Sequence, residues 1–321
     1  MQPDRASVSF AILGRPFTAR NASTHLADWL RTFWDYPEHV VPRHPHVIEL
    51  EAVASAPAAS RDAWASKHVV VPGRTLAFRN AGRIWEMDDA GAGLRLELRG
   101  GASGIELWGC DGGGDLAALY HGLYVALSEA LRASGLVPLH AAVAALGGET
   151  VAWLGASGIG KSTTLLNAVG AGWRAIAEDL CWLEPGTLRV YGWDRGVRCW
   201  PKTLHQLFPQ LGEGQPMPDG KRLIPYDRLG ADDSRTGILT RLAVLGRDTD
   251  GPSRWEPATA REVVKSLWEA TGVPLAEGSR EVAAAAVTRL SRLPVARLVL
   301  GNSAPPLAGA AGVWRDQALG G

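Results

Sequence analysis

Eight consecutive residues, Gly155-Ala156-Ser157-Gly158-Ile159-Gly160-Lys161-Ser162, fit the pattern G-x-x-x-x-G-K-[ST]. Glycines at these places let successive backbone N–H groups turn inward around an anion. Lys161 can reach the β- and γ-phosphates of a nucleotide such as ATP, and Ser162 can offer its hydroxyl to Mg²⁺. With Thr163 added, the run from Gly155 to Thr163 is the candidate phosphate cradle. Glu178 and Asp179 follow at the end of an apolar strand. Two adjacent carboxylates there can divide two tasks, one beside the metal and one taking the proton from an attacking hydroxyl. Strand-end acids are also ordinary turn residues, and the loop upstream is what gives this pair weight. Which of Glu178 and Asp179 takes which task is open from the residues alone.

His140 stands between Leu139 and Ala141, ahead of the loop. A lone His in an apolar strand reads first as a packed, hydrogen-bonded core residue and only second as a catalyst. Arg195, Arg198, Lys202, Lys221 and Arg222 follow the acid pair in a Gly- and Pro-rich stretch. A cation there could stabilise charge on a transferring phosphoryl group or hold an acidic peptide end. The alternative is solvated loop charge. Arg198, in a short run before Trp200-Pro201, is the best single candidate. Glu38, His39, His44 and His46 have no recognised metal spacing and read as loop polarity.

These residues need elements to hold them. Thr150 to Leu154 is an apolar run that predicts a strand leading into the loop, and Ser162 to Val169 predicts the helix after it, its N-terminus aimed at the phosphates. Leu136 to Leu146 predicts one strand joined to the next at Gly147-Gly148, and Trp173 to Ala177 predicts the strand that ends in the acid pair. Further strands are expected at 180–183, 188–191, 238–245 and 295–299, with helices at 258–271 and 279–290, giving a mixed sheet flanked by helices. Upstream, residues 1–114 read as a small α+β domain. It has a helix over 21–34 and short strands at 8–13, 47–53, 68–71, 76–79, 83–87, 94–99 and 105–108, mainly antiparallel. The Gly-rich run Asp111 to Asp115 is the expected boundary, with Asp115 as a helix cap and 115–135 as a connecting helix. The second domain spans 136–300, and a Gly-, Ala- and Pro-rich tail spans 301–321.

Bulk composition narrows the function classes. Lys+Arg 33 balances Asp+Glu 33, so net charge argues for neither nucleic acid nor a membrane surface. Three cysteines without a C-x-x-C pair give no disulfide framework and no zinc spacing. No signal peptide is evident, and the longest apolar stretch is broken by His121, Glu129, Arg132 and Pro138, so the expectation is a cytoplasmic protein. The 13 tryptophans read as core packing.

Taken together, Leu139-His140-Ala141-Ala142, the loop Leu154 to Ser162, and Ala177-Glu178-Asp179 resemble the catalytic segment of the HPr kinase/phosphorylase family. In that family a His precedes a G-x-S-G-x-G-K-S loop and an Ala-Asp-Asp follows the next short strand. The resemblance spans 138–183 strongly and weakens toward the strand at Val295. It implies an α/β fold whose C-terminal domain is a P-loop kinase domain of the HPr kinase/phosphoenolpyruvate carboxykinase type. It also implies transfer of the ATP γ-phosphoryl group to a serine-type hydroxyl on a peptide or small protein, with Mg²⁺. On that reading Lys161 and the loop amides bind phosphates, Ser162 binds Mg²⁺, and one of Glu178 and Asp179 is the base, supported by His140, with Glu178 preferred as base and Asp179 near the metal. Four features depart from the family: Thr163 stands where it usually has Glu, the acid pair is Glu-Asp, the later Gly- and Arg-rich signature is not found, and the N-terminal part does not match the family's N-terminal domain. The pattern is closer to the divergent branch that includes lasso-peptide tailoring kinases. Two other readings stay open: a nucleotide-sensing regulatory module and a bifunctional HPr kinase/phosphorylase. A homo-oligomer is also open.

Overall fold

The alternating apolar runs of the first third of the chain form one eight-stranded sheet. In the computed structural model, the described residues are 5–36, 41–57, 65–71, 73–89, 92–110, 116–231, 234–303 and 305. The strands are β1 (Arg5–Ile12), β2 (Arg15–Ser23), β3 (Val47–Ala52), β4 (Ala65–Val71), β5 (Arg74–Ala81), β6 (Ile84–Asp89), β7 (Ala92–Arg99) and β8 (Ala102–Trp108). Their order is β1-β2-β3-β8-β7-β6-β5-β4. The β2–β3 and β3–β8 pairs are parallel and the others antiparallel, so the sheet is more mixed than its short, turn-punctuated runs predict. Helices α1 (Thr24–Trp34) and α2 (Leu116–Ala133) cover it.

The helix expected from Asn21 begins instead at Thr24. Asn21 lies in β2 at φ 56°, a left-handed conformation that Asn tolerates, beside a register shift in the β1–β2 pair. Ser23 caps α1 by accepting the Leu26 N–H at 3.3 Å. Leu26, Ala27, Leu30 and Trp34 form its buried face. Trp29 stacks on Tyr120 of α2, centroids 4.9 Å apart. The segment expected as a connecting helix therefore packs, as α2, on β6, β7 and β8. Its close approach uses Gly122, where a Cβ would meet Met87 Sδ at 2.6 Å. This unit comprises Met1–Gly135 with Pro274–Ser279, the latter segment tied in by Ala276 N–H donating to Glu129 Oε2 at 3.3 Å. The Asp115 cap, the linker glycines 112–114, Glu38, His39 and tail residues 306–321 lie outside the described residues.

The second unit, Leu136–Val273 with Arg280–Gly321, contains β9 (Val137–Leu139), β10 (Ala142–Leu146), β11 (Glu149–Leu154), α3 (Lys161–Gly170), β12 (Arg174–Ala177), β13 (Cys181–Glu184), β14 (Arg189–Gly192), β15 (Gly196–Cys199) and α4 (Pro201–Leu207). Then come β16 (Gln215–Pro216), β17 (Arg222–Pro225), β18 (Thr236–Ile238), β19 (Arg241–Arg247), β20 (Arg254–Glu256), α5 (Ala260–Thr271), α6 (Glu277–Leu290, of which 277–279 belong to the first unit) and β21 (Val295–Leu300). The main sheet has the order β12-β10-β11-β19-β21-β20, with β11, β19 and β21 parallel. A four-stranded sheet, β18-β14-β13-β9, and a three-stranded one, β15-β17-β16, accompany it.

Strand β11 is buried on both faces, which explains its unbroken apolar run. Val151 and Trp153 join a core with Leu165 of α3 and Val197, Phe208 and Ile224. Ala152 and Leu154 join the opposite core, with Leu267 of α5, Val287 of α6 and Leu183 of β13. The stretch Leu136–Leu146, expected as one strand, divides at His140 and Ala141 and serves two sheets. The stretch 238–245 likewise divides between β18 and β19. Helix α5 starts at a capping box, Thr259 Oγ1 accepting Glu262 N–H while Glu262 accepts Thr259 N–H at 3.0 Å.

Candidate active site

Strand β11 ends at Leu154, the loop 155–160 follows, and α3 starts at Lys161. Glycine is required at both ends of this loop. Gly155 has φ 152° and Gly160 has φ 123°, and a Cβ on Gly160 would stand 2.6 Å from Leu300 Cδ1. Lys161 is buried; its Nζ donates to Gly155 O at 2.9 Å and stands 3.6 Å from Asp179 Oδ1.

The two acids follow β12, whose Val143↔Ala177 pairing with β10 holds its end at the loop's side of the sheet. Ser162 Oγ donates to Glu178 Oε1. Arg198, on β15, donates to Glu178 Oε2 at 3.3 Å and to Asp179 Oδ2 at 3.0 Å. Glu178 is buried and Asp179 half-buried. Burial holds the Glu178 carboxyl above the usual Glu range; the Ser162 hydrogen bond and Arg198 oppose this, and Asp194 and Asp179 add to it. Burial likewise raises the Cys199 thiol, also with a contribution from the Glu178 charge.

Asp194 is the functional residue that sequence reasoning missed. Its Oδ2 accepts the backbone N–H groups of Glu178, Asp179 and Leu180 at 2.8, 2.8 and 3.0 Å. One carboxylate oxygen thus fixes the turn that presents both acids. Burial pushes the Asp194 carboxyl up although the three N–H groups favour its charged form. Arg235 donates to Asp194 O and lies over the Tyr226 ring, 4.6 Å from its centroid. The approach of β14 to β12 depends on Gly192, where a Cβ would collide with Ile176 O. The only signal for Asp194 in the sequence is an Asp in a Gly-bounded turn, which ordinary turn chemistry explains equally well.

The resulting pocket has a volume of about 290 Å³ and is lined by the loop, the acid pair, Arg198 and a wall of Trp200, Thr203 and Lys221. Trp200 is 55% exposed and Lys221 Nζ stands 5.6 Å from its ring centroid. Of the residues expected here, Ser157, Gly158, Gly160, Lys161, Ser162, Thr163, Glu178, Asp179 and Arg198 line it, and Gly155, Ala156 and Ile159 complete the loop. Of the trailing cations only Arg198 and Lys221 reach it; Arg195, Lys202 and Arg222 do not line it.

His140 is not the packed core residue favoured by its apolar neighbours. It sits in the break between β9 and β10 with an exposed side chain, its N–H donating to Ala270 O at 2.8 Å. The β9–β13 register, Leu139↔Cys181, carries it opposite Leu180, but it does not line the pocket. His44 and His46 lie in the first unit, where His46 is buried against Ser103 Oγ at 2.9 Å. Burial, with His44 and Arg15 nearby, lowers its pKa to about 4.

Mg²⁺ is held through oxygen, commonly by one or two protein ligands with water and substrate phosphates completing the shell. The Ser162 hydroxyl and the two carboxylates fit that demand. Among the described residues no three His, Cys, Asp or Glu side chains are placed to hold a metal ion together. Among the described residues no helix is long and apolar enough to cross a membrane. No known protein-family model matches this chain, and no curated protein matches it significantly.

Proposed function

We propose that this protein is a Mg²⁺-dependent kinase that transfers the ATP γ-phosphoryl group to a serine-type hydroxyl on a peptide or small protein. The observation that carries this reading is the convergence of Lys161, Ser162, Glu178, Asp179 and Arg198 in one pocket at a helix N-terminus. A nucleotide binder needs the loop, Lys161 and one carboxylate on the metal side; the second carboxylate is what a binder leaves unused. A transfer enzyme needs it, because the acceptor hydroxyl must lose a proton. The resemblance to HPr-kinase-like proteins, including the peptide-tailoring branch, supports the same chemistry.

In the proposed reaction the acceptor oxygen attacks the γ-phosphorus, the bond from that phosphorus to the β,γ-bridging oxygen breaks, and ADP leaves. The acceptor proton passes to Glu178, whose burial makes its carboxylate a stronger proton acceptor than that of an exposed Glu. Lys161 and Arg198 leave their carboxylate partners for phosphate oxygens and offset the charge spread over the transferring group. Mg²⁺, when bound, neutralises phosphate charge; Ser162 and Asp179 would hold it. The Ser162–Glu178 hydrogen bond favours a second assignment, with Glu178 on the metal side and Asp179 as base.

The test is incubation with γ-labelled ATP, Mg²⁺ and the small peptides or proteins encoded beside the gene. Label transfer is expected, lost in Lys161→Ala and reduced at least about a thousandfold in the variant of the base. Glu178→Gln that binds ATP–Mg²⁺ normally yet transfers nothing supports Glu178 as base; Asp179→Asn behaving that way, with Mg²⁺ affinity weakened in Glu178→Gln, supports the second assignment. ATP binding without transfer, indifferent to both acids, would make the protein a nucleotide-sensing module.

A further inference from the structure

A second cavity of about 290 Å³ adjoins the first and shares Gly160, Thr163 and Thr203 with it. We propose that this cavity is the nucleoside subsite, holding the ribose and base of the nucleoside triphosphate; the inference rests on the kinase reading above and deepens it.

The direction of the phosphate chain follows from where the acids are. Glu178, Asp179 and Arg198 line only the first pocket, so the reacting end of the chain lies there. The other end must leave along α3 past Gly160 and Thr163, and that path opens into the second cavity. No acidic side chain among the described residues lines it. Its floor is the first turn of α3 beyond the cradle, and its far wall is the carboxyl ends of the parallel strands β19 and β21, paired as Arg247↔Leu300. Ligands of open α/β sheets bind at such ends.

The chemistry of the lining suits a nucleoside. Leu207, Leu300 and Pro305 offer apolar surface for a base. Asn167 spends its amide N–H on Thr163 O at 2.9 Å, which leaves its carbonyl oxygen to accept from a ligand. Thr164, fully buried, has a hydroxyl with no partner among the described residues. Arg247 forms no ion pair with a described residue, and the Asn302 side chain makes no hydrogen bond to one. The wall is built rather than loose. Gly301 N–H donates to Ser253 Oγ at 2.9 Å, Ser253 Oγ–H donates to Ser303 O at 2.6 Å, and Asn302 N–H donates to Gly251 O at 3.0 Å.

The experiment compares binding of ATP and of inorganic tripolyphosphate, each with Mg²⁺, by calorimetry on the full chain. The proteins are the wild type, Lys161→Ala and the double variant Arg247→Ala/Asn302→Ala, each checked by thermal melt. The expected result is that wild type prefers ATP to tripolyphosphate by more than about tenfold. The double variant should lose about tenfold in ATP affinity and keep its tripolyphosphate affinity, while Lys161→Ala loses both ligands. If wild type binds both ligands equally, or the double variant leaves ATP affinity unchanged, the subsite is wrong and the phosphate cradle stands. If wild type binds neither ligand, the cradle itself is wrong and the subsite falls with it.

Discussion

At the scale of the residue, the side chain that most controls the acids is one step removed from them. Asp194 holds three consecutive N–H groups on a single oxygen, and releasing them would let the Glu178–Asp179 turn relax. A lost buried hydrogen bond costs about 1–3 kcal/mol, which as a loss of transition-state positioning is about ten- to a hundredfold in rate. Asp194→Ala should therefore lower kcat by that factor with ATP affinity within about twofold, and Asp194→Asn, which keeps an acceptor oxygen, should recover part of the rate. The pH profile separates positioning from simple folding damage. As a base Glu178 must be ionised, so kcat should rise with pH through a midpoint above the ordinary Glu range. Burial is the main cause of that displacement and the Asp194 charge contributes, so Asp194→Asn should move the midpoint to lower pH. An unmoved midpoint would confine Asp194 to scaffolding. The loop, the acid pair and Arg198 were legible in the sequence because their types and spacing are constrained by chemistry. Asp194 was not, because an acid in a turn is commonplace and its three partners are backbone groups.

At the scale of the element, the sequence reads well where one strand has one surrounding. Strand β7, with its period of two, and the capped helix α5 are examples, each marked by a pattern that local chemistry imposes. It reads poorly where a continuous apolar run must serve two sheets, because hydrophobicity does not mark the break at His140-Ala141. It also reads poorly across residues 196–225, where Gly and Pro look like loop yet supply β15, α4, β16 and β17: Pro201 opens α4, and the three short strands form a small sheet of their own. The loop-to-helix junction gives the element-scale prediction. Gly160→Ala places a Cβ against Leu300 at φ 123°, a conformation that costs a side-chain-bearing residue about 1–3 kcal/mol. The expected outcome is at least tenfold weaker ATP binding by calorimetry with a melting temperature within a few degrees of wild type; unchanged binding would mean that the junction is tolerant and the cradle is not set by this glycine.

At the scale of the whole chain, mixed α/β architecture follows from the order of runs and helices, whereas the inclusion of α2 in the first unit and the parallel pairs of the first sheet depend on contacts distant in sequence. Within the second unit, Trp153 is the central load on the face that carries α3. It is 1% exposed and meets Trp173 edge-on, centroids 5.9 Å apart. Trp153→Ala should destabilise by about 3–5 kcal/mol, with faster hydrogen exchange concentrated in residues of this unit. A loss below 1 kcal/mol would mean that the core refills readily. One last consequence concerns how ligand arrives. Lys161 and Arg198 are set against Glu178 and Asp179, and Lys221 against Asp219, each cation with a carboxylate partner, so the pocket projects little field into solvent. On the proposed reading, nucleotide entry would be an ion exchange, one set of counter-ions replacing another, and its association rate should respond to ionic strength far less than that of an open basic cleft.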